Sequence, residues 1–163
     1  MYVEFDEMPD SARVWIFQST NHIEVEQLEM VSARLLGFLE GWQAHGQSLK
    51  ASFQVFYERF IVVALDEKSY QATGCSIDKL THIILSMERD FKLTLLDRMQ
   101  IAYRDEGLIH TMPMAAFRSA LENDELDAET IVFNNLVETK QELKDKWEVP
   151  VRNSWHKQML PVA

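Results

Sequence analysis

The run Thr73-Gly74-Cys75-Ser76-Ile77-Asp78 brings the chain's one cysteine, a serine and a carboxylate to the expected start of an amphipathic helix. With Ser76 as the expected N-cap, Cys75 stands one residue before it, close to the amides and positive dipole end that stabilise a thiolate. That chemistry would make Cys75 a nucleophile, with Asp78 or His45 as the orienting group or base. The histidines at 22, 45, 82, 110 and 156 are scattered, and none completes a recognisable catalytic-cysteine motif. A packing role suits the same cysteine, which also behaves as a small apolar side chain.

A second set of polar residues, Arg59, Ser76, Asp97 and Arg98, lies beside predicted buried elements, where a cleft for an anionic ligand can form. Ion pairs that tie loops together account for the same charges. Ser76-Ile77-Asp78-Lys79 matches Ser-x-x-Lys, but the companion motifs of that chemistry are absent. The segment Gly41-Trp42-Gln43-Ala44-His45-Gly46-Gln47-Ser48 imitates a P-loop, with Gln47 in the lysine position. It is expected to leave a helix and enter a strand, the reverse of the order that points helix amides at phosphate. No metal-ligand spacing and no cofactor motif is present, so neither a metal nor a cofactor is expected.

The elements that must position these residues follow from periodicity. Arg13–Gln18 is β-branched and aromatic and reads as a first strand, central because its apolar residues are consecutive. Over 24–42, Leu28, Val31, Leu35, Leu36, Leu39 and Trp42 keep helical spacing, with Asn21 as the expected cap and Gly46 as the stop. Residues 52–65 read as a hairpin or a sharply bent pair of strands divided by Glu58-Arg59, the second strand central. Residues 66–73 are a polar loop before a second helix carrying Ile77, Leu80, Ile83, Ile84, Met87 and Phe91. Strands at 99–103 and 108–112 flank Gly107, which can take the positive φ of a tight hairpin. A short helix at 114–121, a strand within 130–136, a polar helix at 139–147 and an irregular strap pinned by Trp155 complete the chain. Trp42, Trp147 and Trp155 read as core or strap anchors, and Asn134-Asn135 as a turn.

This order predicts an α+β protein, a ferredoxin-like split βαβ sandwich with a C-terminal α/β extension. A single domain over 1–163 is expected, with the sandwich core at 1–112 and the extension and strap at 113–163. The 163 residues carry 26 acidic against 16 basic side chains, a formal charge of −10 that repels nucleic acid and anionic lipid. The densest cationic stretch, Lys140–Lys146, is interleaved with Glu142 and Asp145 and reads as a solvated helix face. One cysteine allows no internal disulfide, the first residues lack a secretory pattern, and no apolar run approaches the roughly 20 residues that span a bilayer. The chain therefore reads as cytoplasmic.

Six segments carry a resemblance over nearly the whole chain: Ala12-Arg13-Val14-Trp15-Ile16-Phe17-Gln18-Ser19, Trp42-x-x-His45-Gly46, Gly74-Cys75-Ser76-Ile77-Asp78, Asp97-Arg98, Val132-Phe133-Asn134-Asn135 and Ser154-Trp155. Together they look like a family of short bacterial proteins that carries the label ABC transporter ATPase. The resemblance implies ATP binding, although the chain has neither a Walker lysine nor a Leu-Ser-Gly-Gly-Gln signature. From the residues themselves the leading expectation is a binding or protein-interaction module. Its partner is a protein or a small anionic ligand, and self-association through a sheet edge or the strap is a further expectation. The alternatives are a thiol-dependent transferase or hydrolase using Cys75, and an ATP-binding protein.

Overall fold

A computed structural model describes residues 1–162 and has an α+β architecture. The chain forms two compact units, one from Met1–Leu96 with Glu138–Gln141, the other from Asp97–Val137 with the residues from Glu142 onward.

In the first unit, a 3-10 turn at Phe5–Glu7 precedes β1 (Arg13–Gln18), α1 (Val25–Glu40), the short β2 (Gln43–Ala44) and β3 (Gln47–Ser48), β4 (Lys50–Phe56), β5 (Phe60–Asp66) and α2 (Gly74–Phe91). β5 is the central strand of an antiparallel sheet ordered β1-β5-β4. Alternation sends Ile61, Val63 and Leu65 to one face, where they meet Val31, Leu35 and Leu39 of α1 and Leu80, Ile84 and Met87 of α2. Phe60, Val62 and Ala64 on the opposite face are buried too, so β5 is covered on both sides as its unbroken apolar run predicts. Each fully buried Val, Leu, Ile, Phe or Met side chain among these contributes about 1.5–3 kcal/mol.

β1 is an edge strand, not the central one expected. Its apolar run is explained by Trp15 and Phe17 packing on the helical side while Val14 is buried on the other. The sheet edges are partly closed. Val3 N donates to Ala51 O at 3.0 Å beside β4, and Val14 N donates to Glu138 O at 3.0 Å beside β1. Such covering blunts edge-to-edge pairing.

Helix boundaries moved by a few residues. Glu24, not Asn21, caps α1, because it forms a reciprocal capping box with Gln27. α1 ends at Gly41, while Gly46 (φ 76°) serves the β2–β3 hairpin.

The second unit contains β6 (Gln100–Asp105), β7 (Leu108–Pro113), α3 (Met114–Glu122), β8 (Ile131–Phe133) and β9 (Glu148–Pro150), with 3-10 turns at Val151–Asn153 and Trp155–Met159. The sheet order is β7-β6-β8-β9. Glu106 (φ 51°) and Gly107 (φ 79°) form the β6–β7 turn, with Asp105 facing Leu108. Ile101, Tyr103, Phe117, Leu121, Val132, Val151 and Met159 make its core, so the tail is held by Val151 and Met159 as well as by aromatic contact. Helix α4 (Lys140–Lys146) fills the place of the expected polar helix.

The ferredoxin-like expectation carries over only as far as α+β. A split βαβ sandwich needs the strand after the second helix in the first sheet. Here β6 and β7 belong to a separate four-stranded sheet, and β1 runs antiparallel to β5.

Candidate functional site

α2 begins one turn earlier than its sequence suggests. Thr73 is the N-cap, its Oγ1 accepting from Ser76 N at 3.1 Å, while Thr73 N donates to Ser76 Oγ at 2.7 Å. Ser76 is therefore the third helical residue, and Cys75 is the second rather than the residue before the cap. The Ser76 hydroxyl also donates to Thr73 O at 2.9 Å, and its residue is 1% exposed. A hydroxyl so engaged is not available to Lys79, which is exposed on the helix surface. Cys75 and Asp78 are exposed on the same first turns of α2.

The remaining sequence candidates are dispersed. His45 (φ 51°) is exposed in the β2–β3 turn, so Gly41 to Ser48 forms a hairpin rather than a phosphate-cradling strand-to-helix loop. Arg59 closes the β4–β5 turn, where its guanidinium donates from Nη1 to Thr20 O at 2.9 Å and burial draws its pKa below the ordinary arginine value. It stands before Phe60 at one end of β5, whereas the loop to α2 leaves from Asp66 at the other. Asp97 and Arg98 are exposed in the second unit, where Asp97 Oδ1 accepts from Met99 N at 2.9 Å in a local turn.

A different group of residues does converge. Ser11, Arg13, Val14, Trp15, Glu67, Glu138 and Thr139, all of the first unit, line a cleft of about 470 Å³ at the edge of β1. Residues i and i+2 of a strand share a face, which sets Arg13 over Trp15, its guanidinium carbon 4.7 Å from the ring centroid. Trp15 in turn meets the edge of Trp42 at 6.0 Å, and Trp42 Nε1 donates to Ser76 O at 2.9 Å. The wall is thereby fixed to the start of α2. Glu67 is fixed as well, because its Oε2 accepts from Ala72 N at 2.9 Å and closes the loop before α2.

The Arg13–Glu67 pair is loose, with Nη1 and Oε1 3.9 Å apart and the arginine side chain 42% exposed. No hydrogen bond from the Arg13 side chain to another described residue is seen. The fork of donors on a planar guanidinium suits a carboxylate or phosphate taken through two parallel bonds. Arg13, Trp15, Glu67 and Glu138 were not singled out as a site from the sequence. The Arg-x-Trp spacing in a strand was a readable signal, whereas the two glutamates arrive through chain returns that no local pattern reveals.

Two buried polar groups are structural. Lys140, 7% exposed, donates from Nζ to Phe5 O at 3.0 Å and Met8 O at 2.7 Å. His156, 1% exposed, contacts the Ser154 hydroxyl through Nδ1 and stacks on Trp155, and burial pushes its pKa down to about 4. This serine–histidine pair belongs to a 3-10 cap, where Ser154 Oγ also accepts from His156 N. Among the described residues no group of three His, Cys, Asp or Glu is placed to hold a metal ion, and no helix is long and apolar enough to cross a membrane. No protein-family model matches the chain, and neither a curated protein nor a solved structure matches it.

Proposed function

We propose that the chain is a binding module whose site is the cleft at the edge of β1, and that its ligand is held through an anionic group by Arg13. The observation that carries this reading is the guanidinium stacked on Trp15, oriented but paired only at 3.9 Å with Glu67. An oriented fork loses little freedom on binding, so more of the interaction appears as affinity.

Thermal unfolding with and without sodium phosphate, citrate or magnesium ATP tests the reading. A ligand at about 100 times its Kd stabilises the folded state by about 2.7 kcal/mol, which raises Tm measurably. At least one of these anions is expected to raise the Tm of the wild type and not that of Arg13→Ala. Equal shifts in both proteins, or none in the wild type, would contradict the reading. ATP belongs in the panel because the sequence resemblance implies nucleotide binding.

A second reading, a thiol-dependent transferase or hydrolase, is favoured by one observation, the exposure of Cys75 on the first turn of α2. It requires a base beside the thiol, and its test is stoichiometric release of a leaving group from a thioester or activated ester by wild type but not by Cys75→Ser.

A further inference from the structure

We propose further that the ligand of this cleft is zwitterionic and amino-acid-like, its carboxylate on Arg13 and its ammonium on Glu67. This rests on the cleft reading above and names the ligand class.

The argument is one of charge complementarity at short range. Arg13 is the cationic residue of the lining, and two glutamates, Glu67 and Glu138, stand in the same wall. Glu67 cannot swing away without breaking its bond to Ala72 N, so a carboxylate arriving at Arg13 meets a fixed negative neighbour. A purely anionic ligand gains Arg13 but meets repulsion from Glu67, so it binds more weakly than a ligand carrying both charges, and a purely cationic one is opposed by Arg13. A ligand carrying both charges on one carbon satisfies both groups, since the guanidinium and the carboxylate are themselves adjacent, 3.9 Å apart. The ammonium then replaces the guanidinium as the partner of Glu67 Oε1, and the ligand carboxylate takes the freed donors. Trp15 supplies apolar wall for the ligand's carbon atoms.

The test is calorimetric titration of the full chain with each of the twenty free amino acids, followed by the N-acetyl and amide derivatives of the tightest binder. The expected result is saturable binding of a free amino acid, with both derivatives at least 10-fold weaker. Glu67→Gln, which keeps an oxygen for Ala72 N, should weaken the free amino acid at least 10-fold and bind the N-acetyl derivative as tightly as the wild type or more tightly, because the repulsion from Glu67 is gone. Arg13→Lys, which retains the charge without the fork, should weaken the free amino acid towards the level of the amide and leave the amide, which has no carboxylate for the fork, little changed. An N-acetyl derivative that binds as tightly as the free amino acid would overturn the zwitterion inference while leaving the anion-binding reading in place. So would the failure of every amino acid when phosphate or citrate still shifts Tm through Arg13. Failure of all these ligands would overturn both.

Discussion

Trp42 Nε1 donates to the carbonyl of Ser76 at 2.9 Å, joining the segment just after the α1 C-cap to the first turn of α2 in a buried bond. The indole also carries Trp15 on its edge and Phe38 at 5.5 Å. The cleft wall and the start of α2 are therefore one packed unit. Trp42→Phe removes the donor and leaves a gap, and is expected to cost about 1–3 kcal/mol. Urea denaturation measures it as a lower midpoint at unchanged slope.

The cysteine at the start of α2 shows how far local sequence reaches. The stripe Ile77, Leu80, Ile83, Ile84, Met87 and Phe91 identifies the helix because it follows the 3.6-residue period. Its first turn is ambiguous, since Thr73 and Ser76 are both cap-competent and three residues apart. The reciprocal bonds between them decide it. The β4–β5 and β6–β7 hairpins were likewise readable from local turns. Which sheet each strand joins was not, because pairings such as Tyr103 with Val132 or Val132 with Val149 are set by contacts distant in sequence. The cleft shares that fate: Arg13 and Trp15 are two residues apart, but Glu67 and Glu138 reach them only through the fold.

Lys140 holds the N-terminal segment through the carbonyls of Phe5 and Met8, with its ammonium 5.3 Å from the Phe5 ring centroid. Lys140→Met preserves the stem and removes the donors, leaving those acceptors with fewer partners. A loss of about 1–3 kcal/mol is expected in chemical denaturation.

His156 makes stability depend on pH. Its folded pKa of about 4 lies below the ordinary 6.5, so the folded state favours the neutral ring. The contribution is fully present above pH 6.5 and is lost as pH falls through the folded value. By pH 4 the loss reaches about 3 kcal/mol. Urea midpoints between pH 7.5 and 4 should fall more steeply for wild type than for His156→Phe, and identical slopes would contradict the assignment.

Cys75 is exposed in the folded protein. Iodoacetamide should therefore modify it under native conditions at a rate within about 10-fold of the urea-unfolded chain, as accessibility no longer limits the reaction. Mass spectrometry of quenched time points gives both rates. Modification only after unfolding would contradict the exposed position.

The most direct measurement is a nuclear magnetic resonance titration of the isotope-labelled protein with the tightest-binding free amino acid, following the Arg13 Nε and Trp15 indole resonances. Binding in the cleft predicts saturable shifts at Arg13 and Trp15 in the wild type and no shift of the Trp15 indole in Arg13→Ala. Shifts confined to the first turn of α2 around Cys75, with Arg13 and Trp15 unmoved, would contradict it.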